Sequence, residues 1–168
     1  MKTINAILLG SLIITFAPAH ASSDLAQQAS QAKDYFQATH LFKERLEKNK
    51  NDVSALLYLA KIAIRNDQPD LAEDHIVEAV DFIESSELKN VDKKLQAEVY
   101  YTLGIIMEIQ GEKASFFSMS GYATKSLKGY LKSVELLPEK LQYREGLINF
   151  YLGAPSLLGG DINEAIKH

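Results

Sequence analysis

The groups in this chain that could do chemistry are few: four histidines, a serine pair before a glycine, several paired carboxylates and one Gly-Gly-Asp turn. His40 and His75, with Glu44 and Asp74 nearby, offer the donor types of a zinc site. Ligands must also converge, and no His-Glu-x-x-His spacing puts two imidazoles on one helix face. Both read as solvent-facing or ridge histidines, and no metal or other cofactor is expected. Ser118 and Ser120 precede Gly121, yet a serine nucleophile is normally raised on a strand-to-helix turn, and no strand precedes them. Pairs such as Glu73 and Asp74, or Glu98 and Glu108, fit exposed helix faces, where carboxylates only solvate. Gly159-Gly160-Asp161 precedes a helix whose free N–H groups could hold an anion. Asp161 is itself an N-capping acid, so its own side chain is the expected occupant. No catalytic residue emerges.

Composition narrows the field further. The chain has 168 residues, 46% hydrophobic and 24% charged, which is an ordinary globular profile and fits one domain. A net charge of −4 gives no pull toward nucleic acid. The absence of Cys removes disulfides, thiolate metal sites and cysteine nucleophiles together.

The N-terminus carries an address. Lys2, the apolar run Ile4 to Phe16, and Ala19-His20-Ala21 form the three parts of a secretory signal peptide, with cleavage expected after Ala21. The run is short of the ~20 residues of a spanning helix. The expectation is a signal peptide over 1–21 and one mature domain over 22–168, exported to the periplasm or secreted, without stable membrane insertion.

After Ala21 the chain reads as helix throughout. Apolar residues recur at three and four, as in Ala38, Leu41, Phe42, Leu46 and again in Ala72, Ile76, Ala79, Val80, Ile83. Asn51-Asp52 and Gln68-Pro69-Asp70 carry helix-start signals. Ala38 with Phe42 recurs as Ala72 with Ile76. Tyr100, Leu103, Gly104 and Met107 form one first-helix pattern, and Tyr130, Ser133 and Pro138 close the matching second helix. This pattern resembles the tetratricopeptide repeat, whose period is about 34 residues. The resemblance implies an all-α fold: antiparallel helix pairs stacked as a short right-handed α-solenoid, in units of about 22–52, 53–90, 91–140 and 141–168, the last incomplete.

The departures from that pattern are specific. The leucines Leu25, Leu59, Leu103 and Leu147 are spaced 34, 44 and 44 apart. The first insertion falls around Ser85 to Lys94. The second reads as a helix starting early, near Lys113, roughly 36 Å long at ~1.5 Å per residue, with Gly121 the place for a break. The third is the turn Gly153 to Asp161, in which Leu157 and Leu158 are expected to plug the array. From Tyr143 onward the chain looks like a segment of exported bacterial repeat proteins. The sequence stops at His168 inside a helix, so the expectation is either a truncated chain or an end covered by a partner or by self-association.

The resemblance also implies a function. First helices of such repeats line a concave face that takes up partner peptides. Carried over by position, the groove is Leu57, Lys61, Ile64, Arg65, Tyr101, Ile105, Glu108, Glu145, Asn149 and Leu152. Pro155, Leu157, Leu158, Gly159, Gly160 and Asp161 form a loop that could contact a partner. The leading expectation is a non-catalytic scaffold binding a protein or peptide in the cell envelope. The second is a small-ligand accessory protein of an envelope transporter, with a pocket under Phe116, Phe117, Tyr122 and the Leu157 loop.

Overall fold

A computed structural model describes residues 26–31, 33–85 and 91–168. The expected signal peptide and Leu25 lie outside the described residues, as do residues 86–90 of the first insertion. Helical residues 26–31 open the described chain as α1. They are followed by α2 (Tyr35–Lys48), α3 (Val53–Arg65), α4 (Pro69–Glu84), α5 (Lys93–Lys113), α6 (Phe116–Leu136), α7 (Leu141–Gly153), a single 3-10 turn (Ser156–Leu158) and α8 (Ile162–Lys167). Among the described residues there is no strand.

The helix starts follow local chemistry. Asp52 accepts a hydrogen bond from the Ala55 N–H at 2.9 Å and caps α3. The same carboxylate receives two hydrogen bonds from Arg45 near the end of α2, at 2.9 and 3.0 Å, so one acid starts a helix and ties it to its predecessor. Pro69 occupies the first turn of α4, where its missing N–H would have had no partner. Asp92 and Asp161 cap α5 and α8 in the same way as Asp52.

Packing is local in sequence. Each helix from α2 onward packs on the next, α3 also meets α5, and the 3-10 turn rests on α6. Successive pairs therefore stack along one direction, which is the arrangement of a solenoid and not of a closed bundle. Phe42, Leu56, Ile76, Ile106, Met107 and Leu147 are fully buried. Each removal of such a side chain from water stabilises the fold by about 1.5–3 kcal/mol. The small residues Ala38, Ala60, Ala72, Ala79 and Ala165 are buried beside them, as close helix approach requires.

The tightest approach is between α5 and α6. A Cβ at Gly129 would lie 2.7 Å from the Tyr100 carbonyl oxygen and 2.8 Å from the Gly104 nitrogen, so the two backbones touch. Ser126 donates to the Gly104 carbonyl across the same crossing at 2.9 Å. The Tyr130 ring lies against Gly104 of α5 and Gly146 of α7, either of which would meet ring carbons within 3.0 Å if it carried a Cβ.

Two expectations are corrected here. The second insertion does start a long helix early, but three residues later than expected: α5 runs on through Lys113, Ala114 and Ser115 make the turn, and α6 begins at Phe116. Gly121 does not break α6, which continues for 21 residues. One glycine weakens a helix by only about 1 kcal/mol, and the packed face of α6 outweighs it.

The two glycines of α6 should respond oppositely to alanine. Gly129→Ala is expected to destabilise by about 1–3 kcal/mol by forcing the backbones apart. Gly121→Ala, with nothing within 4 Å of the new methyl, is expected to stabilise by about 0.5–1 kcal/mol. Urea midpoints of the two variants check both signs.

Candidate functional site

The helices α3, α5 and α7 lie side by side, and one carboxylate joins all three. Glu98 of α5 accepts hydrogen bonds from the Lys61 ammonium of α3 and from the Tyr143 hydroxyl of α7. Burial alone would raise the carboxyl pKa, but these two donors and the Lys61 charge outweigh it and hold Glu98 below its usual value. Lys61 also sits 5.9 Å over the Tyr58 ring. Tyr101 packs on Tyr143 at 4.9 Å and on Tyr130 at 5.9 Å. Burial and the facing Glu98 push the Tyr143 hydroxyl up, so it remains a donor throughout the physiological range.

From this junction a stripe runs along α5. Glu98, Tyr101, Ile105, Glu108 and Glu112 succeed one another at helical spacing, and none of the five is buried. Glu108 accepts from the Tyr130 hydroxyl at 2.6 Å. At the far end, Glu108 and Glu112 line a cavity of about 270 Å³ with Met107, Met119, Phe150 and Leu158.

The ten residues expected to line a groove divide into three groups. Leu57 is only 3% exposed and belongs to the main core, so it is corrected from a lining residue to a packing one. Lys61, Ile64, Tyr101 and Ile105 are half-buried, with Lys61 committed to Glu98 and the other three packed against core side chains. Arg65, Glu108, Glu145, Asn149 and Leu152 are exposed, the Arg65 guanidinium lying 5.6 Å over the Tyr35 ring.

The loop residues divide as well. Asp161 accepts from the N–H groups of Asn163 and Glu164, so its own carboxylate occupies the helix start, as expected. Gly159 has φ +101°, the left-handed conformation that closes the 3-10 turn. Gly160 lies with its backbone against the Ala154 carbonyl, where a Cβ would approach to 1.7 Å. Pro155 and Leu158 line the cavity. Leu157 does not plug the array: it is 83% exposed. Phe116, Phe117 and Leu157 do border one cavity, but Tyr122 points elsewhere and packs against the main core.

Sequence reasoning missed Glu98 and Tyr143, having placed Glu98 among carboxylates that only solvate. The available signal was the three-and-four spacing that puts Glu98 on one stripe with Tyr101 and Glu108. His40 stands at the surface beside Glu44, and His75 is half-buried, where desolvation lowers its pKa. Among the described residues no cluster of His, Asp or Glu could hold a metal ion, and no helix is long and apolar enough to cross a membrane.

No protein-family model and no curated protein matches the chain. Solved structures similar to it include two crystal structures of MamA, each 20% identical. One is matched at a TM-score of 0.42 over 86% of this chain and 90% of that one, the other at 0.36 over 88% and 86%. The stacked-pair architecture stands on this chain's own helix contacts.

The Glu98 junction generates a pH prediction. A carboxyl held below its unfolded value of about 4.5 contributes stability that is present above that pH and lost as pH falls through the lower folded value. Glu98→Gln removes one such linked group. Its urea midpoint is therefore expected to fall less than the wild-type midpoint between neutral pH and the acid side of the carboxylate range. An equal fall in both proteins would show that the junction carries no such linkage.

Proposed function

We propose that this chain is a non-catalytic interaction scaffold that takes up a protein or peptide segment along the face of α3, α5 and α7. The observation that carries the reading is the α5 stripe from Glu98 to Glu112, in which half-buried Glu98, Tyr101 and Ile105 lead on one face to exposed Glu108 and Glu112. The Glu98 junction holds the three helices in fixed relation, so a partner would meet a preformed surface and little ordering entropy would oppose binding. Tyr101 and Ile105 offer apolar contact, while Arg65, Glu145 and Asn149 offer polar groups at the rim. Lys2, the apolar run after it and Ala19-His20-Ala21 support export to the periplasm as the setting in which the partner is met.

Immobilised protein challenged with a cell-envelope extract tests this reading, with retained species identified by mass spectrometry. The triple variant Arg65→Glu, Glu145→Lys, Asn149→Lys is expected to lose the retained partner at unchanged far-ultraviolet circular dichroism. Lys61 is left intact because its removal would also disturb Glu98. Equal retention by wild type and variant would overturn the assignment of this face.

A further inference from the structure

Beyond Glu108 the α5 stripe runs toward a group of exposed apolar side chains. Phe116 is 74% exposed, Phe117 92% and Leu157 83%, and all three border a cavity of about 430 Å³. This cavity adjoins the 270 Å³ one and shares Met119, Pro155 and Leu158 with it. Single exposed apolar side chains are commonplace, but several gathered around a concave surface mark a site of contact. Met119, which lines both cavities, is unbranched and can adapt its shape to what it meets.

Charge decides what that occupant must carry. Glu108 and Glu112 line the inner cavity, no Lys, Arg or His lines either one, and among the described residues neither carboxylate has an ion-pair partner. The Tyr130 hydroxyl occupies one oxygen of Glu108 and leaves the other open. A purely apolar occupant would cover these carboxylates and strip their water without replacing it, which opposes binding. An anionic occupant would be repelled outright. A cation set among apolar groups satisfies both the acids and the greasy walls.

We propose that this cradle, between the end of α5, the start of α6 and the Pro155–Leu158 turn, docks a partner peptide segment carrying bulky apolar side chains beside a lysine or arginine. The proposal rests on the reading of the chain as an interaction scaffold and gives its partner a chemistry. The apolar side chains enter between Met119 and Leu158, the flanking Phe116, Phe117 and Leu157 cover them, and the basic group meets Glu108 and Glu112.

Fluorescence anisotropy with a fluorescein-labelled amphipathic leucine–lysine peptide tests this, beside a leucine–glutamate counterpart of the same pattern. Saturable binding of the first and none of the second is expected. Glu108→Gln with Glu112→Gln should weaken binding about tenfold, and Phe117→Ala with Leu157→Ala should do the same. These side chains are largely at the surface, and circular dichroism confirms that the variants fold. Absence of saturable binding, equal affinity in all variants, or equal affinity for the acidic peptide would overturn the proposal. A mass in light scattering that doubles with concentration and reverts in the Phe117→Ala, Leu157→Ala variant would overturn it in favour of a second copy. A loss that tracks Arg65→Glu with Glu145→Lys and not the cradle variants would overturn the cradle while leaving the scaffold reading standing.

Discussion

The structure depends on one close approach, the crossing of α5 and α6 at Gly104 and Gly129. Backbone meets backbone there, with Gly129 against the Tyr100 carbonyl and the Gly104 nitrogen. At that separation a single side-chain hydroxyl, Ser126, can hydrogen-bond a main-chain carbonyl of the opposite helix. The closeness also gives the Tyr130 ring its place between glycines of α5 and α7. Removing that ring would leave a void bordered by three helices, and voids of that kind carry a cost beyond the lost burial.

The crossing in turn aligns the first helices. With Tyr130 holding α7 against α5, Tyr143 and Tyr101 pack together, and Glu98 comes within reach of both Tyr143 and Lys61. The open face is therefore built on a packed aromatic layer and a satisfied carboxylate, not on loops. A surface of this kind has its shape and charge placement set by the packing beneath it. The same frame positions the cradle at the far end of α5, where the stripe passes from Glu98, bridged to two helices, to Glu108, which accepts only from Tyr130, and then to Glu112.

Local features were largely legible. Asp52 and Pro69 start their helices for reasons contained within a few residues, and the apolar rhythm of Ala72, Ile76 and Ala79 places the buried face of α4. Asp161 is legible for the same reason, since an N-cap is an exchange between neighbours. The misreadings share one cause: each needed the identity of a distant neighbour. Gly121 reads as a break in isolation, yet the packed face of α6 carries the helix through it. Leu57 and Lys61 are one turn apart on α3, but the core takes the first and Glu98 takes the second. Glu98 reads as a surface acid because its partners lie 37 and 45 residues away.

By itself, then, the sequence determined the helices, their caps and the small-and-large alternation that makes neighbouring pairs stack. These are set by dihedral preference, by hydrogen bonds within a turn and by periodic burial, all of which act over a few residues. Only the tertiary structure decided which carboxylates are bridged and which are free, which leucines are core and which stand in solvent, and that Phe116, Phe117 and the 156–158 turn share one concave surface. Those outcomes depend on how far one helix slides and rotates against the next. That offset is set by interlocking side chains from separate parts of the chain, such as Tyr130 with Gly104 and Gly146, and no local pattern encodes it.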